Sequence, residues 1–170
     1  AYAERQFTLL GPLWPWHLLL LAVVHAAVAY VFGSPLVLAA ALTALAGWFG
    51  VSGTPGEMLR VSYSEVEFGT RALACALVIA AWRYADLRAR PESRFSDVFD
   101  HFAANLAFWG GIAWCLEWPW LVAGLPLLAA LSYASLRRGL DTGREAFLVY
   151  GTVYAAIGIC AAALPYIRGS

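Results

Sequence analysis

The grouping of apolar residues limits this chain more than any other feature. From Pro12 to Leu164, long and nearly uncharged runs alternate with short charged links. A hydrocarbon layer roughly 30 Å thick is crossed by about 20 apolar residues in a helix. Six segments approach that length, near 12–32, 36–51, 65–88, 100–116, 119–136 and 146–164. Composition agrees: 62% of residues are hydrophobic, 13% are charged and the mean hydropathy is +0.68, against about 45–50% and about 25% in a soluble domain. The expected fold is all-α, a polytopic transmembrane helical bundle of about six spans arranged as antiparallel hairpins and forming one membrane domain over residues 1–170. Helices satisfy their own backbone groups inside lipid, and the polar faces that a soluble helical core needs are missing.

Local signals place the turns. Gly33-Ser34-Pro35 joins the first two segments as a tight hairpin. Ser64-Glu65-Val66-Glu67 reads as a capping box, with Glu67 reaching back to Ser64, and Pro91 stops the third helix. Ser96 or Asp97 is expected to cap the fourth helix, which Glu117-Trp118-Pro119 ends. Arg137-Arg138-Gly139 closes the fifth segment, Thr142-Gly143-Arg144-Glu145 repeats the capping signature before the sixth, and Pro165 ends that one. Small residues at four-residue steps, Ala103, Ala107, Gly111 and Cys115 in the fourth helix and Ala72, Ala76 and Ala80 in the third, predict close packing there, within the chain or between copies. Superimposing His17 on His101 and superimposing the two Trp-Pro-Trp motifs give incompatible registers, so no internal repeat is established.

Eleven arginines balance eleven acids, with no lysine. A neutral chain without a basic tract has no electrostatic footprint for nucleic acid. The lack of lysine excludes a retinal or pyridoxal Schiff base and a P-loop. With abundant alanine, it also matches the codon habit of a high-GC bacterium. Cys75, Cys115 and Cys160 lie in apolar runs and read as small hydrophobes. Arg88, Arg90, Arg94, Arg137, Arg138 and Arg144 gather on one side of the alternating links, with Arg5, Arg60, Arg71 and Arg168 on the other. The positive-inside rule then puts the first side in the cytoplasm, both chain ends outside and the Trp-Pro-Trp motifs at the outer interface. The expected location is a bacterial inner membrane, crossed several times. Ala1 stands where a Met would, so something was removed or left out, and the sequence does not fix the true N-terminus.

Few residues offer chemistry. His25 falls near the middle of the first segment, where an ionisable group marks a site to be considered; Asn105 and Tyr30 join it as ligand or pore candidates. His17 lies about 12 Å from His25 along one helix and cannot share a metal with it. Arg83, Asp86, Asp97, Asp100 and His101 form a polar cluster at the inner face. Arg83 and Asp86 are spaced for an ion pair, while Asp97 with His101, or Asp97 with Asp100, could present two metal ligands on one face if Asp86 or Glu92 joined. First-turn acids are also what a helix dipole favours. No cofactor is assigned.

Hydrolase, metalloprotease, dinucleotide and intramembrane aspartyl-protease motifs are absent, so an enzyme is disfavoured. The leading expectation is an accessory or scaffold subunit, or an apolar-ligand-binding domain, whose partners are the lipid bilayer and other membrane subunits or further copies of itself. Three alternatives stand: a small transporter or channel using His25 and a fifth helix broken at Pro126, a haem- or chlorophyll-type pigment protein using His25 or His101, and an enzyme acting on lipid or a thiol through Asp97, Asp100 and His101.

Overall fold

The computed structural model describes residues 14–51 and 64–168. Arg5 and Arg60 of the orientation argument, and the link 52–63, lie outside the described residues. Six helices follow in order: α1 (Trp14–Phe32), α2 (Pro35–Trp48), α3 (Glu65–Ala89), α4 (Ser96–Cys115), α5 (Leu121–Thr142) and α6 (Glu145–Arg168). Among the described residues there is no strand. The helices pair as three sequential hairpins, and α4 borders α2, α3, α5 and α6.

The hairpin turns have local causes. Gly33 adopts φ +63°, which a side chain would strain, and the Ser34 amide closes back on the Ala29 carbonyl at 3.1 Å, a Schellman ending. Ser34 then caps α2 by accepting from the Val37 amide at 3.4 Å, with Pro35 in the first helical turn. Ser64 caps α3 by accepting from the Glu67 amide at 3.1 Å. Glu67 does not complete the expected box: its carboxylate pairs with Arg71, one turn on, and the Glu65 amide is held by Glu117 at 2.9 Å.

Four boundaries differ from the sequence reading. Helix α5 continues through Arg137, Arg138 and Gly139, because the left-handed residue that ends it is Gly143, at φ +66°. Thr142 therefore belongs to α5, where its hydroxyl bonds to the Arg138 carbonyl at 2.6 Å, and does not cap α6. No side chain caps α4; its N-cap is Phe95, whose amide donates to Ser93 Oγ at 3.3 Å. Finally, α5 runs unbroken through Pro126, and α6 passes Pro165 to reach Arg168, since a proline removes one backbone bond and the rest of the ladder can hold.

Two apolar cores meet on α4. One gathers Leu38, Leu42, Ile79 and Phe99 from α2, α3 and α4; the other gathers Phe108, Ile112 and Leu128 with Tyr154 of α6. Helices α3 and α4 approach closely at Gly69 and Gly110. A Cβ on Gly110 would stand 2.9 Å from the Gly69 carbonyl oxygen, and one on Gly69 would stand 2.8 Å from that of Gly110. Of the expected small-residue ridges, Ala72, Ala76, Gly111 and Cys115 are buried, whereas Ala80 is exposed.

One helix among the described residues, Glu145–Ala163, is long and apolar enough to cross a membrane, while Trp16–Phe32 and Pro35–Trp48 are apolar but shorter. The structure thus bears out the helical bundle, and among the described residues length with composition supports one membrane span. Charges near the ends of α3, α4 and α5 separate those helices from α6: Arg71, Arg83, Asp86, Asp97, Asp100 and Arg138 all sit on helical turns.

Candidate functional site

The cluster expected at the inner face is assembled, with different partners from those the spacing suggests. Arg83 turns from Asp86 toward α4 and pairs with Asp100, which Arg138 of α5 engages from the other side. Asp97 pairs with Arg144 at the start of α6. Asp100 is buried, so one carboxylate between two guanidiniums ties α3, α4 and α5 together. Asp86 is also buried and accepts from Tyr30 Oη at 3.0 Å and from the Ser93 hydroxyl. Tyr30 in turn accepts from Trp82 Nε1 at 3.1 Å, stands edge-on to Phe95 and carries the Arg90 guanidinium 4.6 Å above its ring. These bonds pin the end of α1 to α3 and to the link before α4. A cavity of about 470 Å³ opens beside Tyr30 and the segment from Arg90 to Phe95.

A second polar seam joins α4 to α6. His101 Nδ1 lies 3.1 Å from Tyr150 Oη, and its ring stacks on Phe147 at 5.5 Å. Asn105 donates through Nδ2 to the His101 carbonyl at 2.8 Å and to Tyr150 Oη at 3.2 Å, and accepts from Tyr154 Oη at 2.7 Å. Tyr150 and Tyr154 were not singled out in the sequence. In an apolar run a tyrosine resembles an interfacial anchor, and only its four-residue spacing, matched to that of His101 and Asn105, hints at a facing seam.

The candidate residues therefore divide among three places. Tyr30 and Asp86 share one; Arg83, Asp97, Asp100, His101 and Asn105 lie along α4 and its neighbours. His25 stands apart, donating from Nδ1 to the Leu21 carbonyl of its own helix at 2.7 Å. No group of three potential metal ligands converges among the described residues, and Asp97 and His101 face different partners. Asn105→Ala is expected to destabilise the fold by about 1–2 kcal/mol, because it removes the acceptor of the Tyr154 hydroxyl and one of the two partners of Tyr150 Oη. Tyr150→Phe and Tyr154→Phe should each cost about 0.6 kcal/mol or a little more. Thermal melts of the three variants in one detergent check this order.

Comparison of the chain with protein-family models, with curated proteins and with solved structures finds no match in any of the three.

Proposed function

We propose that this chain is a multi-pass helical bundle of a bacterial inner membrane that binds an apolar ligand or serves as an accessory subunit, with no chemistry of its own. One observation carries the reading. Only 22% of Glu145–Ala163, the one described helix both long and apolar enough to cross a membrane, is buried, whereas an apolar helix at the core of a soluble protein is mostly buried. Other helices repeat the pattern: Val23, Val24 and Val31 of α1, Leu77 of α3 and Val122 of α5 all point outward. Water penalises such a surface and hydrocarbon does not. Arg83, Arg138 and Arg144 meet at one end of the bundle, while the Trp16–Trp48 and Trp114–Trp120 pairs belong to the other, as positive-inside and interfacial preferences favour.

The membrane reading predicts that the protein stays in the pellet when membranes are washed with alkaline carbonate. It also predicts that an impermeant maleimide reaches Glu117→Cys, but not Glu92→Cys, from the periplasmic side of spheroplasts, tested in a background with Cys75, Cys115 and Cys160 replaced. Release into the supernatant would overturn the reading, and labelling of both positions would overturn the topology.

A second reading has its own support. With Nδ1–H held by the Leu21 carbonyl, neutral His25 keeps a lone pair on Nε2, the arrangement in which a histidine can ligate a pigment metal. Protein purified from its native host should then absorb in the visible, and a colourless preparation dismisses this reading. The transport reading has less behind it, since α5 is unbroken at Pro126 and His25 is bonded to its own helix.

A further inference from the structure

A cavity of about 360 Å³ lies between α2 and α4, with Thr43, Ala46 and Val51 on one wall and His101, Asn105 and Leu106 on the other. Its polar lining can be accounted for donor by donor. Thr43 gives its hydroxyl hydrogen to the Ala39 carbonyl at 2.8 Å. Asn105 has no freedom to flip, because the His101 carbonyl can only accept and so fixes Nδ2 toward it. The second amide hydrogen goes to Tyr150 Oη, and Oδ1 accepts from Tyr154. Tyr150 Oη, already accepting from Asn105, has one hydrogen to give, and His101 Nδ1 is the acceptor beside it. With Tyr150 as the donor of this pair, neutral His101 carries its proton on Nε2, and no acceptor for that N–H is found among the described residues.

An apolar cavity with one uncommitted N–H donor is complementary to an apolar body bearing a carbonyl oxygen. We infer that it binds a lipid-soluble quinone-class carbonyl compound, one carbonyl oxygen accepting from His101 Nε2–H and the ring lying against Phe102 and Leu106. The volume falls at the small end of ligand sites, roughly 300–1,000 Å³, and suits a single substituted ring. No charged residue lines the cavity, so a phospholipid, whose ester carbonyls come with a charged headgroup, is the poorer match. This inference names the ligand of the membrane bundle proposed above and rests on that reading.

The test uses the full chain reconstituted in liposomes, with decylubiquinone as the probe and quenching of tryptophan fluorescence as the readout. Wild type is expected to quench saturably. His101→Phe keeps an aromatic ring to stack on Phe147 but loses the donor, and should weaken binding about tenfold. Ala46→Trp, on the opposite wall, should abolish saturable quenching and serves as the independent arm should His101→Phe fold poorly. Decylbenzene, which has no carbonyl, should compete about tenfold more weakly with wild type than the quinone does, and equally with both proteins. Unchanged affinity in His101→Phe together with Ala46→Trp, or equal competition by decylbenzene, overturns the site. Flotation of the same liposomes separates the two ideas: protein that floats without saturable quenching overturns the ligand site alone, and protein that fails to float overturns the membrane reading and the site together.

Discussion

Gly110→Leu is expected to lower the stability of the bundle by about 3 kcal/mol or more, the largest loss of any single substitution in α4. The added Cβ alone would stand 2.7 Å from Leu73 Cγ and 2.9 Å from the Gly69 carbonyl oxygen. Leu73 can change rotamer, but the carbonyl belongs to the α3 backbone, so α3 and α4 must move apart. Overpacking of this kind typically costs about 1–3 kcal/mol, and more where backbone blocks relief. Because α4 also borders α2, α5 and α6, the displacement cannot be confined to one contact. Thermal melts in detergent should show a single lowered transition. Gly69→Ala and Gly110→Ala should be strongly non-additive, since once either methyl has separated the helices the other finds space. Additive losses would mean that the two glycines do not face one another.

Asp100→Ala is expected to rank next, at about 3 kcal/mol. Removing the carboxylate leaves Arg83 and Arg138 facing each other across a site that is 8% exposed, and breaking a buried ion pair from one side costs about 3–5 kcal/mol. The arginine side chains are 23% and 39% exposed, so water relieves part of the penalty and places the loss at the low end. The triple substitution Arg83→Met, Asp100→Leu and Arg138→Met should recover most of it, because an apolar replacement of the whole group leaves no stranded charge. A triple variant less stable than Asp100→Ala would show that the ion pairs hold the helices together by attraction, not merely by balancing one another.

Much of the helical layout was legible because apolar runs and turn residues speak locally. Gly33 and Ser34 sit where the hairpin needs a left-handed residue followed by a cap, and Ser64 caps α3 as its spacing indicates. Misreadings arose where two local rules competed. Arg137-Arg138-Gly139 has the composition of a link, yet α5 runs on to the left-handed Gly143, which ends it. The inner-face residues were recognised by type but not by partner. Arg83 and Asp86 are three apart on α3, and the intrahelical pair gives way to Asp100, Tyr30 and Ser93 because burial of both acids demands more donors than one exposed turn supplies. The seam through Tyr150 and Tyr154 depends on how α6 lies against α4, which no window of sequence contains. Gly110 was passed over for its neighbour Gly111, since a four-residue ridge identifies a small face but not which neighbouring helix it receives.

The position of α4 has a consequence for how the chain comes together during synthesis. The first hairpin leaves the ribosome before the helix that completes its surroundings exists, and the third hairpin adds to a wall already built. Assembly therefore waits on the fourth helix, and a pause or truncation upstream of Ser96 would leave α1, α2 and α3 without the surface around which both halves gather.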